Sequence, residues 1–227
     1  MNWLRLNVTT EGHTEELFAR RVIAPHLARF RVNVQVRRVL TNRVLRVRGG
    51  MTTYARAKGD LIRWMRHENQ GDVRFTTMFD LYGLPSDFPG KPEAETLSDP
   101  YAKVELIQRS MSEDIADLRF IPYIQLHEFE ALVLADPDQL AEEYFDREEQ
   151  IAQLKQVIAA HMNNPELVDD GVESAPSKRI RQLIPGYDKV NVGSMLVELS
   201  GLDVVRKRCR HFDEWLDVLE SLGSQQS

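Results

Sequence analysis

The sequence predicts an α/β protein with a mostly parallel central sheet flanked by helices, and a helical C-terminal part. Strand-like and helix-like hydrophobic patterns alternate over about the first 135 residues, the order expected when each strand returns through a covering helix. The third strand segment, 73–81, turns continuously apolar toward its end, as a strand covered on both faces does. From Pro137 onward the pattern is helical. The expected division is therefore a core over residues 1–135 and a helical extension over 136–227 that packs on it.

Residues 3–8 largely alternate apolar and polar and predict the first strand. After the turn at Thr9–His13, Leu17, Phe18, Val22 and Ile23 stand at helical spacing, which predicts a helix from about Thr14 to Leu27 with Pro25 near its end. Residues 32–40 predict a second strand, continued by 43–48 as a hairpin arm. Gly49-Gly50 is a tight turn before a helix from about Thr52 to His67. The third strand gives way to a Gly- and Pro-rich stretch, 82–92, too irregular for a regular element and of a length often tied to function. A helix at about 100–114, a fourth strand at 119–126 and a helix opening at His127 follow, with a polar loop at about 163–176 further on.

Composition sets the outer bounds. The chain has 227 residues, 42% hydrophobic and 28% charged, which is ordinary for a globular protein with one sizeable core. It has no apolar run long enough for a membrane span, so no membrane partner is expected. Met1–Leu6 shows no signal-peptide layout, and the single cysteine, Cys209, excludes an intrachain disulfide or a cysteine zinc cluster. A cytoplasmic setting is expected. The net charge of −6 hides a segregation: no acidic residue lies between Glu16 and Asp60, an interval that includes Arg37, Arg38, Arg46, Arg48 and Lys58. Such a stretch either faces a polyphosphate or pairs with acidic helices elsewhere in the fold. A second basic run covers Arg206–His211.

Open parallel sheets place their sites at the C-terminal ends of the strands. Glu11 follows the first strand, Asp80 ends the third, and Glu128 and Glu130 follow the fourth, while Glu15 lies about one helical turn beyond Glu11. An oxygen-rich cluster of this kind suits a hard divalent cation such as Mg²⁺ or Mn²⁺ and phosphate-ester chemistry. Each acid also has a plainer role. Acids at helix starts favour the helix dipole, and an Asp closing a strand forms turns. Lys178 and Lys189 either offset charge on a phosphate or lie solvated at the surface. His127-Glu128 is not a zinc-protease signature, because Ala131 stands where the second histidine is needed.

The string Glu11-Gly12-His13-Thr14-Glu15 resembles the opening motif of Toprim-like proteins, including the nuclease half of the overcoming-lysogenization-defect (OLD) family. Asp80-Leu81-Tyr82-Gly83-Leu84-Pro85 with Asp87–Gly90, Gln125–Ala131, Ser177-Lys178-Arg179 and Pro185–Lys189 together look like the bacterial family called domain of unknown function 4276. The resemblance spans about residues 3–200. It implies a Toprim fold, with Glu11 as the catalytic glutamate, Glu15 as a nearby metal ligand and Asp80 as the first aspartate of an Asp-x-Asp motif. Tyr82 replaces the second aspartate, leaving Asp87, Glu128 or Glu130 to supply the missing ligand. An ATPase partner in a phage-defence system is implied as well.

The expected function is therefore metal-dependent cleavage of DNA or RNA. Glu11, Asp80 and Lys178 are expected to be catalytic, Glu11, Glu15, Asp80, Glu128 and Glu130 to hold the metal, and Arg46, Arg48, Lys58 and Lys189 to meet nucleic acid. A homodimer is left open. Two alternatives remain: a Toprim scaffold that binds nucleic acid or protein without chemistry, and phosphate-ester hydrolysis on a small substrate.

Overall fold

The computed structural model describes residues 3–42, 47–48, 51–69, 71–168 and 174–224. Among these, the main sheet contains β1 (Leu4–Thr10), β2 (Val32–Arg38), β5 (Val73–Asp80), β6 (Phe120–Ile121) and β7 (Ile124–Gln125). Its order is β2-β1-β5-β6, with β7 also on β5, and every pairing is parallel. A small antiparallel pair, β3 (Leu40–Asn42) with β4 (Val47–Arg48), stands apart. Of the predicted hairpin arm over 43–48, the end at Val47–Arg48 is a strand, while residues 43–46 lie outside the described residues.

The chain leaves β1 to pair on one side with β2 and returns on the other side with β5, so the sheet reverses direction between β1 and β5. That reversal opens a crevice at the carboxyl ends of these two strands. Helices cover both faces. Leu4, Leu6 and Val8 share a core with Phe18, Phe129, Phe212 and Leu216. Val73, Phe75 and Phe79 pack instead with Leu61, Val104, Ile107 and Met111, from α3 (Tyr54–His67) and α5 (Pro100–Ile115). This double cover accounts for the first strand, whose alternation is not matched by an exposed face. Asn7 and Thr9, its polar alternates, are buried too.

Two predicted elements are broken for backbone reasons. The first helix runs as α1 (His13–Phe18), a π-turn at Ala19–Ile23 and α2 (Ala24–Ala28). In the widened turn the Ala24 N–H bonds Ala19 O, five residues back, just before Pro25, which has no N–H to give. The predicted strand 119–126 divides into β6 and β7 around Pro122, whose missing donor cannot continue a ladder. The helix expected from His127 starts only at Glu130, as α6 (Glu130–Val133), because His127 takes a left-handed backbone, φ 58°. The irregular stretch after β5 holds a 3₁₀ turn at Leu81–Gly83 and a short helix, α4 (Lys91–Ala94). Within the polar loop, residues 165–167 form a 3₁₀ turn and 169–173 lie outside the described residues.

The C-terminal part is helical: α7 (Glu148–Ala160), α8 (Pro176–Leu183), α9 (Lys189–Ser200), α10 (Leu202–Arg208) and α11 (Arg210–Ser221). These helices contribute to the same core as β1. Trp215 on α11 donates to Thr76 Oγ1 on β5 at 3.0 Å, and Phe212 packs 5.9 Å from Phe18. No helix among the described residues is long and apolar enough to cross a membrane.

Glu166 fastens this half to the sheet. Its side chain is fully buried and accepts from the N–H groups of His211 and Phe212 at the start of α11, each at 3.0 Å, and from the Tyr101 hydroxyl at 3.0 Å. Anionic oxygen at a helix N-terminus satisfies donors that have no partner inside the helix. Replacing Glu166 with Ala strands all three donors and is expected to cost roughly 2–4 kcal/mol in urea unfolding. A loss below about 0.5 kcal/mol, the level of an ordinary surface change, would contradict this role.

Candidate metal and phosphate site

Glu11, Glu15, Asp80, Glu128 and Glu130 reach one rim, and local chemistry explains how each gets there. Glu11 leaves β1 with its N–H bonded to Met78 O of β5 at 3.2 Å, so it is held beside the end of the neighbouring strand. Gly12 follows because Glu15 folds back over it: the Gly12 N–H donates to Glu15 Oε2 at 2.9 Å. A Cβ at Gly12 would come within 2.6 Å of that oxygen. Gly83 is required on the same ground, since a Cβ there would lie 2.5 Å from both Glu11 oxygens. The glycines of the two motifs are thus seats for carboxylates.

Asp80 closes β5, opposite Gln125 of β7. The turn of backbone at His127 then carries the chain so that Phe129 is buried against Phe18, 5.4 Å between ring centres, and Glu130 is fully buried. Glu128 Oε2 accepts from the Ser177 N–H, in the first turn of α8, at 3.1 Å. The string Pro185–Lys189 completes the rim. Tyr187 directs its hydroxyl at Glu130 Oε1, 3.5 Å away, and Asp188 caps α9 by accepting from Val190 and Asn191 N–H groups at 3.1 Å. The first residue of α9, Lys189, then reaches in. Its Nζ lies 2.7 Å from Glu130 Oε2 and 3.5 Å from Asp80 Oδ2. Thr14 Oγ1 ties α1 to the same residue through Lys189 O at 3.3 Å.

The electrostatics follow from burial and crowding. Burial, then the charge of Asp80, pushes the Glu11 carboxyl up to about 7, against the lowering effect of the Asp80 and Met51 amides and Lys189. Glu15 is pushed up to about 8 by the same pair of causes, and Glu130 to about 7 chiefly by burial. Asp80 is raised by burial and by Glu128, against Lys189. Burial works against the Lys189 ammonium, yet Asp80, Glu130 and Glu128 outweigh it and hold the proton well above the usual lysine range. One ammonium thus serves a group of carboxylates.

The donor set is all oxygen, as hard divalent cations require. Glu11 Oε2 and Asp80 Oδ1 are buried with no hydrogen-bond donor among the described residues. These residues fit Mg²⁺ or Mn²⁺ in kind. Among the described residues, however, no three Asp, Glu, His or Cys side chains already close on a common point in ligating geometry.

Other expected residues are placed elsewhere. Asp87, offered as a substitute ligand, caps α3 instead, accepting from the Tyr54 N–H at 2.9 Å. Lys178 follows Ser177 on the first turn of α8 and is half-buried. Lys58 pairs with Asp114 at 2.8 Å. Arg46 lies outside the described residues, as does the side chain of Arg48. Within the acid-free interval, Arg37 pairs with Asp60 and stacks on Trp64, and Arg20 and Arg38 share Glu16. Arg206 of the second basic run meets Asp213, Asp217 and Glu220. Sequence reasoning missed Tyr187 as a partner of Glu130 and Glu166 as a buried acid; the Pro185–Lys189 string was noted, but nothing in it marks a tyrosine as facing an acid.

Fold and site together define an α/β protein with a buried carboxylate cluster at the switch point of a parallel sheet. The family model described as Domain of unknown function (DUF4276) matches residues 10–220, and the chain belongs to that family. No curated protein matches the chain. Among solved structures it is similar to the C-terminal region of the OLD protein of Xanthomonas campestris pv. campestris, at 13% identity and a TM-score of 0.43, over 97% of this chain and 96% of that one.

The raised carboxyls carry a sign that can be tested. In the unfolded chain these glutamates titrate near 4.5, so the folded state holds protons that the unfolded state has released. Their contribution is complete below that value and is lost as pH rises through 7–8. His211, held down to about 4 by burial, acts in the opposite direction but has finished by its ordinary value of 6.5. Urea unfolding of metal-free protein should therefore show stability falling from about pH 6.5 to about 8.5, with Asp80→Asn flattening the fall. Stability that rises over this window would contradict the crowded-carboxylate picture.

Proposed function

We propose that the chain is a metal-dependent nuclease of the Toprim type, hydrolysing a phosphodiester of DNA or RNA. The observation that carries this reading is the pair of buried oxygens without donors, Glu11 Oε2 and Asp80 Oδ1, at the switch point of the sheet. Glu11, Glu15 and Asp80, with Glu128 or Glu130, hold Mg²⁺ or Mn²⁺. When bound, such an ion supplies Lewis acidity toward a phosphoryl oxygen. Glu11 serves either as a ligand of that ion or as the base that takes the proton of the attacking water. Lys189 faces the charge that develops on the phosphoryl group, and Lys178, beside Ser177 on α8, steadies the leaving oxygen. Arg46 and Arg48 serve the phosphate backbone. The motif resemblance supports an ATPase partner and a role in bacterial phage defence.

A second reading has its own observation. Lys189 already occupies the space between Glu130 and Asp80, as expected of a scaffold that has exchanged a cation for an ammonium and binds nucleic acid or protein without cutting. Calorimetric titration with Mg²⁺ and Mn²⁺ separates the two. The nuclease reading expects wild-type binding that Glu11→Gln and Asp80→Asn each abolish. It also expects cleavage to fall by about 10² or more in Glu11→Gln. Full cleavage by Glu11→Gln removes the assignment, and no binding by the wild type favours the scaffold.

A further inference from the structure

A cavity of about 510 Å³ is lined in part by residues that lie within two positions of the carboxylates in the chain. Tyr82 and His127 line it, and their neighbours in the chain, Asp80 and Glu128, belong to the acidic cluster. Two residues of chain span at most about 7 Å, so the cavity and the carboxylates are within one nucleotide's reach of each other. The Tyr82 N–H bonds His127 O at 3.1 Å, and the two rings stand 5.5 Å apart, which fixes the aromatic wall. Leu81 and Ile107 supply apolar surface. Lys91 also lines the cavity, with its Nζ donating to Leu84 O at 2.5 Å. Lys103, half-buried on α5, also lines it and makes no ion pair among the described residues, and Glu95 is the carboxylate of the lining, so two lysines face one acid there.

This volume lies within the range of clefts that enclose small-molecule-sized groups, roughly 300–1,000 Å³. Apolar walls, an aromatic face and a net positive lining, Lys91 and Lys103 against Glu95, are the components that bind a base together with its flanking phosphate. We propose that the cavity receives an unpaired nucleobase from the strand whose phosphate lies over the carboxylates, with Tyr82 as its stacking face. The position where the Asp-x-Asp motif places its second aspartate thus serves the base. A base inside a duplex cannot enter without leaving its stack, so the substrate class is single-stranded nucleic acid or a strand with a flipped nucleotide. The assignment of the phosphate rests on the nuclease reading, whereas the cavity is tested by binding alone.

The test uses Glu11→Gln protein, which is expected neither to hold the metal nor to cleave, and a single strand of roughly 12 nucleotides carrying the fluorescent base 2-aminopurine, against the same sequence as a duplex. The proposal expects quenching on binding and at least about tenfold preference for the single strand. Adding Tyr82→Ala should weaken single-strand binding by about tenfold and abolish the quench, within the range of losing a stacking aromatic. Tyr82→Phe should retain both. Equal binding by Tyr82→Ala, loss in Tyr82→Phe as large as in Tyr82→Ala, preference for the duplex, or a nucleoside monophosphate binding as tightly as the strand would each overturn it. Tyr82-dependent single-strand binding by a wild-type protein that cleaves nothing would keep the cavity and remove the nuclease. Duplex cleavage at the wild-type rate by Tyr82→Ala would do the reverse.

Discussion

Lys189 reaches from the first turn of α9 to Glu130 and Asp80, and much of the chain is arranged so that it can. Buried carboxylates repel one another and resist ionisation, so such a cluster persists only around a counter-charge held by strong local geometry. The cap at Asp188, the packing of Phe129 on Phe18, and the bond from Thr14 to Lys189 O all fix the distance between α9 and the sheet edge. The same arrangement leaves Glu11 Oε2 and Asp80 Oδ1 with nothing to accept from. One lysine serves several carboxylates, and on the proposed reading a further cation completes the balance.

Parts of this were legible before any coordinates. Parallel βα alternation and the helical C-terminal part follow from hydrophobic periodicity, whereas the strand order that makes the switch point does not. The convergence of Glu11, Asp80, Glu128 and Glu130 was legible because strand ends in a parallel sheet share one edge. What periodicity does not encode is what the backbone does at single residues. Pro122 divides a strand, the left-handed His127 delays a helix, and the π-turn before Pro25 bends another. Charge partners were equally hidden. Lys58 with Asp114, Arg37 with Asp60, and Asp87 on α3 are contacts across 23–56 residues of chain, which no local pattern reports.

The acid-free interval illustrates how far composition alone carries. Its segregation suggested a polyphosphate-facing surface, and Arg20, Arg37, Arg38 and Lys58 instead balance nearby acids. Arg21, Arg29 and Arg31 are exposed to solvent. The pairing reading of the interval therefore describes the first four. Glu166 is the converse case: an acid in a polar stretch with no visible partner, buried because the start of α11 and Tyr101 supply three donors.

The claim on which the account turns is that the rim binds a divalent cation despite Lys189. Anomalous diffraction from crystals soaked in Mn²⁺ tests it most directly, because it locates the ion without requiring activity. The account predicts a peak within about 2–2.5 Å of oxygens from Glu11, Glu15 and Asp80, with Glu128 or Glu130 closing the shell. A clean map in which Lys189 keeps its place between Glu130 and Asp80 and no peak lies at the rim would contradict it.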